Sequence, residues 1–110
     1  MNSDIKAIVE QYPSLRLQVN KGERHRIMRT GTARGSLWIA PRGPKGVAPT
    51  SAVGYYNVIP TGEAEALLRH FLHSHFGPES GVDYRERWKW WNITELGDVA
   101  KIIQRYAGPS

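Results

Sequence analysis

"LRLQVNKGERHRIMRT", Leu15 to Thr30, is the stretch on which the fold turns. Leu15, Leu17 and Val19 alternate with Arg16 and Gln18. Successive side chains of a strand point to opposite faces, so the segment predicts a half-buried strand with Arg16 and Gln18 on the polar side. "NKGE", Asn20 to Glu23, supplies the glycine that a tight hairpin turn needs, and "RHRIMRT" returns as a second strand with weaker alternation.

Outward from this hairpin, "SLWIA", Ser36 to Ala40, predicts a third strand with Leu37 and Ile39 inward and Trp38 on the opposite face. "GYYNVI", Gly54 to Ile59, predicts a fourth. The segment between them, Pro41 to Gly54, is rich in proline and glycine and reads as a flexible basic loop, since neither residue sustains regular pairing. "YRERWKWWNIT", Tyr84 to Thr94, reads as a fifth strand.

Three helices complete the pattern. Ile5, Ile8, Val9 and Tyr12 recur at helical spacing behind Ser3, a candidate cap, and Pro13 ends the run. Thr61 is placed to cap a second helix with the apolar stripe Ala64, Leu67, Leu68, Phe71 and Leu72, stopped by Gly77-Pro78. Thr94 is placed to cap a third, with Leu96, Val99, Ile103 and Tyr106 inward. The order implies one α+β domain over the 110 residues, with a mostly antiparallel sheet of four to five strands and helices mainly on one face.

The composition, 40% hydrophobic and 23% charged, is that of a chain that folds, alone or as a homo-oligomer. The absence of cysteine excludes disulfides, thiolate metal sites and a cysteine nucleophile, and suits a reducing, cytoplasmic setting. No apolar run reaches the roughly 18 residues of a membrane span, so a soluble intracellular protein is expected.

The net charge of +5 is one-sided: Pro13 to Gly46 holds eight cations, Arg16, Lys21, Arg24, Arg26, Arg29, Arg34, Arg42 and Lys45, against Glu23. A block of that kind concentrates polyanions, which points to DNA or RNA, or alternatively to an acidic protein partner. If Tyr84 to Thr94 is extended throughout, Arg85, Arg87, Lys89 and Trp91 share one face and Trp88 and Trp90 the other. Three cations leading to an indole suit a phosphate backbone with one stacked base, so Trp91 is expected outside and Trp88 and Trp90 in the core. Arg16, Gln18 and Trp38 can extend that surface if their strands share a sheet, and Arg34, Arg42 and Lys45 sit among glycines and prolines as basic arms.

The expected nucleic-acid-binding set is therefore Arg16, Arg24, Arg26, Arg34, Trp38, Arg42, Lys45, Arg85, Arg87, Lys89 and Trp91, acting without catalysis or cofactor and with single strands favoured over duplex. His25 beside Glu23 offers an acid/base pair for the alternative of a small metal-independent nuclease. His70, His73 and His75 lack the further ligand that completes a zinc pattern, so no metal is expected. No phosphate-binding loop, helix-turn-helix, zinc-finger or RNA-recognition consensus occurs.

Overall fold

The computed structural model describes residues 2–31, 34–44 and 46–109, without the side chains of residues 2 and 3. The elements run α1 (Asn2–Val9), β1 (Leu15–Asn20), β2 (Arg24–Arg29), β3 (Leu37–Arg42), β4 (Tyr55–Pro60), α2 (Glu63–Phe76), β5 (Gly81–Val82), β6 (Lys89–Ile93) and α3 (Leu96–Ala107). The six strands form one antiparallel sheet in the order β1-β2-β3-β4-β6-β5, an α+β fold with one strand more than the upper expectation. Among the described residues no helix is long and apolar enough to cross a membrane.

The register separates the side chains cleanly. Leu17 faces Ile27, Ile27 faces Leu37, Ile39 faces Val58, and Val58 faces Trp91, so these residues share a face across five strands. The helices add Ile5 and Val9, Ala64, Leu68 and Leu72, and Val99, Ile102, Ile103 and Tyr106, making a single core on that side. The hydrophobic drive that holds the domain together thus acts mainly on one sheet face.

Burial favours the neutral phenol, and it raises the Tyr56 hydroxyl above its ordinary value with Asp4 adding to the effect. The Tyr106 phenol is raised mainly by the same desolvation.

Local details differ from expectation in instructive ways. Thr61 does not cap α2, whose cap position is Gly62. Its Oγ1 instead donates to the Ser36 carbonyl and accepts from the Ser36 amide at 3.1 Å, tying the start of β3 to the start of α2. Nor does Thr94 cap α3, whose cap position is Glu95. Helix α1 already includes residue 3, whose side chain lies outside the description.

The loop after β3 begins at Gly43, because Pro41 and Arg42 pair with Tyr56 and Tyr55. Proline is tolerated there because the β2–β3 ladder already ends at the pair His25 with Ile39. At the other end of the loop Gly54 has φ +82, and a side chain there would collide with the Arg42 carbonyl, so glycine closes the neck. Between them Thr50 and Val53 exchange backbone hydrogen bonds and Pro49 is buried, so part of this loop is folded down.

Candidate nucleic-acid interface

The face of the sheet away from the helices carries the other set of strand residues. Arg16 pairs across from Met28, Gln18 from Arg26, and Asn20 from Arg24. Arg26 in turn faces Trp38, Trp38 faces Ile59, Ala40 faces Asn57, and Asn57 faces Asn92. Four of the expected cations, Arg16, Arg24, Arg26 and Arg42, therefore lie on one surface with Trp38 and Gln18. The chain's ten acidic residues all fall in helices, turns or loops, so no strand position of this face is a carboxylate.

Trp38 is the centre of the cationic cluster. The guanidinium carbons of Arg24 and Arg26 lie 5.3 and 5.4 Å from its ring centroid. Both are within range of a cation–π contact, which holds two long side chains beside one half-buried indole. The Arg26 Nε also donates to Ser36 Oγ at 2.9 Å. One Nη of Arg42 donates to the Gly22 carbonyl in the β1–β2 turn at 3.1 Å, bringing its charge to the Arg24 end of the sheet. Such tethering lowers the entropy that a phosphate contact would otherwise cost.

The opening to the fifth strand is the main correction. Only Lys89 to Ile93 is extended, and Tyr84 to Glu86 form a turn. Asp83 Oδ1 accepts from the amides of Arg85 and Glu86, while the Asp83 amide donates to the Trp88 carbonyl at 2.8 Å. Arg87, at φ 65, then carries the chain back. Arg85 and Arg87 are exposed on this hairpin loop rather than in a strand row, and Lys89 falls on the helix-facing side with Trp91.

Trp91 is 1% exposed and in the core, with Nε1 donating to the Gly77 carbonyl at 3.0 Å and its ring edge-on to His73. It cannot stack a base. Trp88 and Trp90 are the solvent-side pair, reversing the expected faces. Trp90 packs on Gly81, where any Cβ would strike its ring, and this contact seats the β5–β6 hairpin against the sheet. Trp88, 38% exposed at the root of the hairpin loop, lines the same recess as Arg24, Trp38 and Arg42.

The remaining expected residues lie apart. Arg34 is exposed in the β2–β3 loop, its backbone beside Gly62 at the start of α2, and Lys45 lies outside the described residues.

His25 is fully buried on the helix-facing side, and its Nδ1–H donates to the Glu23 backbone carbonyl at 2.8 Å. The carboxylate of Glu23 is not its partner, so the proposed acid/base pair is not formed. The histidines of α2 bind neighbours, His73 to Glu79 at 3.4 Å and His75 Nδ1 to the Phe71 carbonyl at 3.0 Å. Among the described residues no three histidine or carboxylate side chains cluster as metal ligands would.

A larger cleft of about 780 Å³ lies between α2 and α3, lined by Leu67, Phe71, His75 and Arg105 among others. Two of its polar groups are engaged locally: Arg105 lies 5.6 Å from the Phe71 ring centroid, and His75 stacks on the same ring at 4.1 Å. The chain matches no protein-family model, no curated protein and no solved structure.

Proposed function

We propose that the helix-free face binds single-stranded nucleic acid without cleaving it. The observation that carries this reading is a sheet face with four arginines, half-exposed indoles at Trp38 and Trp88, and no carboxylate at any strand position. Arginines neutralise phosphate through sequence-independent contacts, while an indole offers a flat partner to any unstacked base. A duplex buries its base faces in its own stack, so exposed indoles favour a single strand.

The chemistry of the same face supports binding over cleavage. Its described strand positions hold no histidine or carboxylate to act as a general base near neutral pH, and the one described strand histidine, His25, is buried on the other side.

Binding of single- and double-stranded oligonucleotides across a salt series tests the proposal. Four phosphate contacts give a single-strand slope of log K against log salt of about −3, with duplex bound more weakly and the oligonucleotide recovered uncut. A flat salt response, or no binding at low salt, would overturn the reading.

A further inference from the structure

Trp38 and Trp88 line one recess in the open face together with Arg24, Arg42, Asn57 and Ile59. Its volume is about 270 Å³, below the roughly 300–1,000 Å³ of sites for drug-sized ligands and suited to a single ring system. Two features of the strands make the recess. Ala40, the smallest side chain on β3, lies directly across from Asn57, so the surface dips between larger neighbours. The β5–β6 hairpin, held by Trp90 on Gly81 and by the Asp83 turn, brings Trp88 over from the other side of the sheet.

The polar group in the recess is an amide with capacity to spare. Asn57 Nδ2 donates to Asn92 Oδ1 at 3.1 Å, which fixes the orientation of the side chain. Its Oδ1 and second N–H have no partner among the described residues. An amide that presents one acceptor and one donor side by side can meet an edge of any nucleobase, because every base carries both kinds of group. Arg24 and Arg42 stand at the same recess, where a phosphate flanking an inserted base would lie.

Resting on the single-strand reading above, we infer that this recess is a slot for one nucleobase, stacked against Trp38 and Trp88 and hydrogen-bonded by Asn57. The slot selects a base against a bare sugar-phosphate unit and does not select one base against another. Each protein molecule thereby grips a strand at one inserted nucleotide, and the arginines hold the chain on either side. The arrangement differs from an extended stacking platform, on which affinity grows with every added base.

The experiment compares three ten-unit deoxyoligonucleotides: one with a base at every position, one wholly abasic, and one abasic except for a single central adenine. Wild type, Trp88→Ala and Asn57→Ala are each titrated at low and moderate salt, with thermal melts establishing that the variants are folded. Wild type should bind the fully based strand about 10- to 100-fold more tightly than the abasic one, the worth of one well-stacked base. The single adenine should recover most of that difference, and Trp88→Ala and Asn57→Ala should each narrow it. Salt-dependent binding of equal strength to all three strands would overturn the slot while leaving the phosphate-binding face in place. A gain that rises in proportion to the number of bases would replace the slot with a platform. No binding of any strand at low salt would remove the open-face reading and the slot with it.

Discussion

Trp91 and Trp38 lie on the two faces of one sheet and differ in nearly every neighbour they have. Trp91 is enclosed by the helices, its indole N–H spent on the Gly77 carbonyl. Trp38 is flanked by the guanidinium groups of Arg24 and Arg26 on the face that no helix covers. The difference teaches that an indole's role is set by its strand companions. The residue two positions from Trp91 on the same face is Ile93, which is buried, whereas Trp90 shares its face with Asn92, which is exposed. One face supplies the core, and the other is the surface to which binding is assigned in the proposal above.

The largest expected effect separates these two indoles. Trp91→Ala should destabilise the domain by about 3–5 kcal/mol, the usual cost of truncating a buried aromatic, and leaves the Gly77 carbonyl without its donor. Trp38→Ala should cost about 1 kcal/mol of stability, as changes at incompletely buried positions do. It should instead weaken single-strand binding by roughly 1–3 kcal/mol. Denaturant unfolding and a binding titration on each variant check both halves, and equal destabilisation by the two would erase the contrast between the faces.

How much of this was legible in the sequence depends on how local the determining interactions are. The β1–β2 hairpin could be read directly, since alternation and turn lie within the same sixteen residues. The same alternation lets Arg16, Gln18 and Trp38 share one face on condition that their strands share a sheet, and the register meets that condition. Alternation sorts the Trp88-to-Ile93 segment into the correct two sets, but the cations beside it point to the wrong face for each. Cations at 85, 87 and 89 suggested a solvated row, although the first two belong to a turn. Ile93 and Asn92 held the signal that could have corrected it.

Strand β5 is two residues long and has no periodicity to detect; it is defined by its pairing with β6, where Gly81 lies under the Trp90 ring. Thr61 resembles a helix cap by spacing, yet its hydroxyl serves Ser36, a partner 25 residues away that no local pattern reveals. Pairing of β4 with β6 across α2 is equally non-local, and with it the recess under Trp88.

A medium effect tests whether the hairpin is what carries Trp88 to the open face. Gly81→Ala forces the Trp90 ring off its seat, so a loss of about 1–3 kcal/mol is expected, as for other overpacked sites. Single-strand affinity should fall with it, although residue 81 touches no ligand in the proposed arrangement. Undiminished affinity in a folded Gly81→Ala protein would detach the hairpin from the interface.

The smallest effect on stability belongs to the charges. Arg16→Ala combined with Arg24→Ala, both at exposed positions, should change unfolding by no more than about 0.5 kcal/mol each. The slope of log K against log salt should become shallower by about 1.4, the contribution of two phosphate contacts on a single strand. The same pair of changes at Arg85 and Arg87, on the hairpin loop, should leave the slope nearly unaltered. An equal response at both pairs would mean that the binding surface extends over the loop.

The four tryptophans provide the most direct reading of which face is used. Each contributes one indole N–H resonance, and a nitrogen-15 correlation spectrum recorded during titration with a single-stranded oligonucleotide follows them together. The indoles of Trp38 and Trp88 should shift with the backbone amides of β2 and β3, while that of Trp91 stays in place. Shifts confined to the α2–α3 side, at Arg29, Lys101 and Arg105, with Trp38 and Trp88 unmoved, would contradict the assignment of binding to the open face.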